Sequence, residues 1–567
     1  MENSIESRYR NIEIILYLVA FLLAVALRFI QLGALPMGDL EANNALQALN
    51  LARGTPVIVG GQPAYEALTS ILFFLFGSTE FWARFWPATF GVAVIFLPLL
   101  FRKWLGTIPS LILALFLAIE PGFIALSRTS TGTMIGLVSL IAAFGFLFNL
   151  KPIQAGIFAG IALLGGTTFW PGLIGIFLSY GIFSLAQTKR SEINSFPSLF
   201  KSGLIDWKSF FISAGFTVAL MGTVFLFRPN TISGLGTSIV GYFQSWAKIG
   251  AGVSIPVMLT GLMGGELLAI LLAFYGAATG WRKHPELNFF LGVWAIVSVL
   301  LTLLNPSRQV VDWVWTLIPL WVLAAFGLGD LIQLLSSKEW LLKFFQTIAT
   351  VALLVFSYLN LLSMIEGQAV HTSLQLLAIV LPLALLVIIT FLIGWGWSTD
   401  ASRQGLIIGI GFLLVMVAFG SAWKAAGLGP RPEAELWRSD VLPVGRDLTM
   451  KTIRDLSLWN TGQVDGIDVA LLRQNQPSFQ WALRDFSKMS YKDILGVTET
   501  PSIVISSTND ALSLTQSYRG QELVWFSGPD FGKMTAKNWI EWFAFRDVPL
   551  KETDILIWAR NDLFKGS

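Results

Sequence analysis

Apolar runs of membrane-spanning length recur from Asn11 to Trp423, separated by short polar loops. A helix needs about 20 apolar residues to cross the hydrocarbon core. Runs near 12–32, 81–101, 108–126, 132–150, 153–168, 171–186, 209–227, 255–280, 288–304, 310–329, 341–362, 374–397 and 404–423 therefore predict about thirteen spans. Several are short or hold Gly and Pro. With 54% hydrophobic and 13% charged residues and a mean hydropathy of +0.67, the composition excludes an ordinary soluble protein.

The charge is not spread evenly. Residues 424–567 carry 17 of the 38 Lys+Arg and 18 of the 35 Asp+Glu, and have no long apolar run. The expected organisation is a polytopic α-helical membrane domain over 1–423, with a long first loop at 33–80, followed by a soluble α/β domain over 424–567. In that tail, helical patterns near 445–459, 477–488, 509–518 and 535–545 alternate with strand-like runs at 467–472, 501–507, 521–527 and 554–560. A net charge of +3 without a basic run gives no sign of nucleic-acid binding. The chain has no cysteine, which removes disulfides, zinc thiolate sites and thiol nucleophiles. The first ten residues are polar and lack a cleavable signal pattern, so the first apolar run is expected to remain as an anchor.

Basic residues favour the cytoplasmic side of a membrane. With the amino terminus inside, fourteen Lys and Arg fall in inner segments, among them Arg102, Lys103, Lys189, Arg190, Lys201, Arg282, Lys283 and Lys338. Seven fall outside: Arg28, Arg53, Arg84, Arg128, Arg228, Lys248 and Arg308. That bias and an odd span count predict a multi-pass protein of the cell membrane, with a cytoplasmic amino terminus and an extracytoplasmic tail.

On that outer side lies an acidic pair, Asp39 and Glu41. Carboxylates at a membrane boundary are costly unless solvated or paired. In Gly38-Asp-Leu-Glu-Ala42, Asp39 stands where an N-cap belongs and Glu41 in a first turn where the helix dipole favours an acid. Ala42, Ala45, Leu46 and Leu49 continue as an apolar stripe of helical period. Capping comes ahead of catalysis for Asp39; for Glu41 both readings stand. An apolar helix at 65–77 is too short to span and is expected at the interface or re-entrant. Arg128, Arg308 and Arg228 are isolated outer cations, suited either to lipid headgroups or to bidentate phosphate contacts. Arg84 is expected to pair with Glu80 at i, i+4. Glu266 is a buried acid deep in a span with no evident partner. His284 and His371 fall on opposite sides, so no His pair is expected. Trp481, Trp525, Trp539 and Trp542 suit sugar stacking, core packing or interface anchoring.

The segments Gly38–Gly54, Leu75–Pro87 and Ile119–Pro121 through Ser127-Arg128 resemble the GT-C superfamily of polyprenyl-phosphate-dependent glycosyltransferases, of the protein mannosyltransferase and aminoarabinose transferase type. The resemblance covers roughly residues 10–330. It implies transfer of a sugar from a polyprenyl-phosphate donor to a glycan, lipid or protein acceptor on the outer face. Glu41 would then be the general base with Asp39 in support, and Arg128, Arg308 and Arg228 would lie near the donor phosphate. A divalent metal held by the two acids stays open. The family usually has adjacent Asp-Glu, whereas Leu40 intervenes here. A second acid common after the Ser-Arg is absent from Thr129-Ser-Thr-Gly-Thr133. That absence favours the alternative, a non-catalytic relative that binds or presents lipid-linked glycans. A transporter is a third reading, although no inverted repeat is evident.

Overall fold

The computed structural model describes residues 2–55, 60–187, 205–335, 339–367, 372–438, 440–496, 498–508 and 516–564. Lys189, Arg190, Lys201, Lys338, His371 and most of the helical pattern at 509–518 lie outside the described residues. Four helices open the chain: α1 (Glu2–Phe29), α2 (Asp39–Arg53), α3 (Pro63–Phe76) and α4 (Glu80–Ala93). α2 forms as its stripe predicts, burying Ala42, Ala45, Ala48 and Leu49 and ending at Gly54 with φ +72°, a left-handed position that suits glycine. α3 buries its first ten residues apart from Leu68 and Ile71, and ends on exposed Phe74, Leu75 and Phe76.

Each of the thirteen apolar runs coincides with a helix or helix pair. Among the described residues, nine helices are long and apolar enough to cross a membrane. The pair Thr107–Ile119 and Pro121–Ser127, bent by 55°, passes the same test only when taken together, as a broken span or a re-entrant loop. The bend has a local cause: Pro121 opens the second helix, and the Glu120 carboxylate caps it by accepting from the amides of Gly122 and Phe123. The remaining three runs form helices of 16, 12 and 16 residues, Thr133–Phe148, Pro152–Leu163 and Trp207–Gly222. Ile255–Lys283 is kinked at Glu266, with φ −112° and ψ 15°. Both carboxylate oxygens there are buried without a hydrogen bond among the described residues, and the side chain faces Glu120.

The tail forms one five-stranded sheet in the order β2-β1-β3-β5-β4, where β1 is Val469–Leu472, β2 Met489–Lys492, β3 Ile503–Ser507, β4 Tyr518–Pro529 and β5 Leu550–Arg560. β1 pairs in parallel with both β2 and β3, while β5 is antiparallel to β3 and β4. The four expected strands are present, β4 and β5 being longer than the patterns suggest. β2, Met-Ser-Tyr-Lys, is an addition at the sheet edge, just beyond the helical pattern read at 477–488. That helix stops instead at Ala482. Helices Arg446–Thr461 and Ala536–Phe545 follow the sequence pattern. Trp481, Trp525 and Trp542 are fully buried packing residues, with Trp525 stacked on Phe479 at 4.0 Å. Trp542 also reaches into the helical bundle, where its indole donates to the Ala434 carbonyl at 2.9 Å and packs against Gly264.

Candidate functional site

α2 is fastened at both ends of its first turn by residues remote in sequence. Its N-cap is Gly38, extended at ψ 179°, without a side-chain cap of its own. The missing acceptor comes from the tail: the Glu41 amide donates to Asp440 Oδ2 at 2.9 Å. A Cβ on Gly38 would lie 2.6 Å from that carboxylate, so the approach requires glycine. Asp39 does the converse. It accepts at Oδ1 from the Ser478 amide, 3.0 Å away, at the start of the tail helix Pro477–Ala482. The expectation that Asp39 caps its own helix is thus corrected: the two segments cap each other, because each brings an acid to the other's orphan amides.

Glu41 is 2% exposed. Its Oε2 accepts from Arg84 Nε at 2.8 Å and lies 2.7 Å from Arg84 Nη2, with the Ser130 amide and hydroxyl each at 3.4 Å. Asn44, one turn on, donates to the Ser130 carbonyl at 2.9 Å. Arg84 Nη1 closes on the carbonyls of Leu32 and Leu35. The expected Glu80–Arg84 pair does not form. Arg84 turns inward to a buried acid, and Glu80 instead pairs with Arg446 at 3.1 Å and accepts from the Trp481 indole.

The three arginines expected near phosphate are placed differently from one another. Arg128 is buried, and its terminal nitrogens donate to the carbonyls of Leu27, Arg28 and Gln31 at the end of α1. Arg228 donates to the Gly54 carbonyl and ties the 228 loop to the end of α2. Arg308 lies between two residues of a cavity wall. Its Nη1 reaches the Leu303 and Asn305 carbonyls, and its Nε is buried without a hydrogen bond among the described residues.

That cavity holds about 380 Å³ and is lined by Leu40, Thr167, Thr168, Tyr242, Ser245, Thr302, Asn305, Ser307, Gln309, Asp312 and Asp440 among others. Hydroxyls, amides and two carboxylates make it suited to a polyhydroxylated ligand. Leu40 and Asp440, rather than Glu41, face it from the acidic cluster. Burial pushes the Asp440 carboxyl up to about 7; the Glu41 amide opposes this, and the charges of Glu41 and Asp39 add to it. Arg438, two residues earlier, has Nε and Nη1 buried without a hydrogen bond among the described residues. Burial lowers its pKa, with Glu41 and Arg84 among the charges around it. Sequence reasoning named neither Arg438 nor Asp440. Among the described residues no group of three or more acids or imidazoles could hold a metal ion. Asp39 and Glu41 have separate partners.

The fold is that of a polytopic helical membrane bundle with a small carboxy-terminal sheet docked on its first loop. The solved structures it is similar to are those of ArnT from Cupriavidus metallidurans. The form bound to undecaprenyl phosphate aligns with a TM-score of 0.54 and the apo form with 0.56, each at 14% identity over 99% of this chain and 100% of that one. No protein-family model and no curated protein sequence matches the chain. The fold is therefore the one implied by the resemblance at Gly38–Gly54.

Proposed function

We propose that the protein is a membrane glycosyltransferase that moves a sugar from a polyprenyl-phosphate donor to an acceptor hydroxyl on the outer face. The observation that carries this reading is a cavity beside the acidic cluster of α2, its largely apolar wall set with hydroxyls, amides and two carboxylates, in a chain with the ArnT fold throughout. A sugar suits a wall of this kind, with apolar surface for its ring faces and hydroxyls and amides for its hydroxyl groups. Arg308 Nε and the free nitrogens of Arg438 are donors suited to the phosphate. Lipid phosphate leaves readily, so the protein need only neutralise its charge and deprotonate the acceptor. One of the similar ArnT structures is described as bound to undecaprenyl phosphate, which supports the same lipid class here.

The test is to incubate the purified chain in lipid nanodiscs with undecaprenyl-phosphate-linked hexose and, separately, pentose, together with membrane lipid and protein acceptors. Labelled sugar should appear on an acceptor as undecaprenyl phosphate is released. Tight binding of donor without release, across the whole panel, would replace transfer with the alternative of binding or presenting lipid-linked glycans. The orientation rests on the positive-inside bias and has its own test. Because the chain lacks cysteine, single cysteines report sidedness directly. Exposed Lys488→Cys should react with impermeant maleimide in intact cells, and Lys103→Cys only after lysis. The reverse pattern would invert the topology.

A further inference from the structure

Deprotonation needs a carboxylate with a lone pair open to the cavity. Glu41 is not on the cavity wall, which passes through Leu40 instead, and its Oε2 is turned away to Arg84 and Ser130. Two carboxylates do line the wall, Asp312 and Asp440. Asp312 closes its own turn, accepting from the Gln309 amide at 2.7 Å in a reciprocal capping box. Asp440 accepts from the Glu41 amide at Oδ2, with the Leu40 amide also beside it, which fixes the carboxylate while leaving further lone-pair positions. It sits between the acidic cluster and the sugar-sized space.

We infer that Asp440 is the catalytic base, and that Glu41 is a positioning residue holding the turn whose amide orients it. This rests on the transferase reading above. In the step, an Asp440 oxygen takes the proton of the acceptor hydroxyl while the acceptor oxygen bonds to the anomeric carbon. The bond from that carbon to the phosphate oxygen breaks, and its electron pair leaves with polyprenyl phosphate. The proton then passes from Asp440 to water. The acid that the family pattern places after Ser127-Arg128, and that this chain lacks there, is on this account supplied from beyond the last span.

The groups around Asp440 are Asp39 and Glu41 on α2, Arg438 on its own segment and Asp312 on the same cavity wall. With its pKa near 7, the base is protonated at acid pH, so kcat should fall about tenfold per unit below pH 7. Asp440→Asn keeps an oxygen for the Glu41 amide and should fold, as its melting temperature will report. It should lower kcat about 100-fold or more, change the donor KM less than about threefold, and abolish the inflection near pH 7. Glu41→Gln should lower the rate and keep the inflection, as should Asp312→Asn. If wild type transfers sugar and Asp440→Asn keeps both its rate and its inflection, the assignment is overturned while the transferase reading stands. If wild type transfers from neither donor, the transferase reading falls and the assignment with it.

Discussion

The helices Ile255–Lys283 and Val310–Leu334 each bury 50% of their apolar windows, whereas Ser373–Gly396 buries 11% and its neighbour Trp340–Ile365 17%. The first region, with α2, α4 and the tail, carries acids and arginines that must be satisfied in the protein. The second is a three-helix appendage completed by Thr399–Ala425. Small residues and short bonds hold it together: Gly405 lies against Gln346, Gly409 against Thr350, and Ser402 donates to the Thr390 carbonyl at 2.6 Å. Close approach holds both regions; the first is fixed by paired charge as well, and lipid covers the remainder of the second. Buried polarity thus marks where the molecule is constrained by chemistry rather than by solvent.

The largest effect should come from breaking that polarity. Arg84→Ala leaves Glu41 buried and uncompensated and should destabilise the fold by about 3–5 kcal/mol, read as a fall in thermal melting in detergent. Replacing Glu41 and Arg84 together by Leu and Met should recover much of it. A melting temperature unchanged by Arg84→Ala would remove the contrast between the regions. Next comes close packing in the polar half. A Cβ on Gly276 would lie 2.0 Å from the Leu323 carbonyl oxygen, so Gly276→Val should cost about 3 kcal/mol. Gly411 in the appendage has nothing within 4 Å, and Gly411→Val should stay within about 0.5 kcal/mol. Asp39→Ala removes the cap on Pro477–Ala482 and should cost about 1 kcal/mol, seen as easier proteolytic release of the tail.

A pH slope, comparable in size to the first effect, completes the set. The Asp440 carboxyl titrates near 7 in the folded chain against an ordinary 3.8. Between about pH 4 and 7 the folded state holds a proton that the unfolded state has lost. This group's contribution is complete below pH 4 and is lost as pH rises through 7. Wild type should therefore lose stability over that window relative to Asp440→Asn, measured by melting at a series of pH values. Parallel curves would show that the group is not desolvated.

Hydropathy made the spans legible because each is a local property of its own segment. The same holds for α2, whose stripe is local, and for the tail strands bounded by turn formers. The pairing of charges was not legible. Glu80 and Arg84 stand four apart on one helix, which favoured a local pair, but desolvated Glu41 outcompetes it from a different helix. Asp440 carries no motif, and its importance comes only from lying beside residues 399 positions earlier. β2 escaped notice because its half-polar Met-Ser-Tyr-Lys is short and only half-buried, with little in its pattern to separate it from a loop.

The reciprocal caps also set an order of events during synthesis. Asp440 leaves the ribosome 399 residues after Glu41, a delay of roughly 20 to 80 s at ordinary elongation rates. Through that interval the first turn of α2 lacks its acceptor and the cavity lacks a wall. The end of the chain thus acts as a completion mark: a nascent protein stalled or clipped before the tail has its membrane helices but not its site.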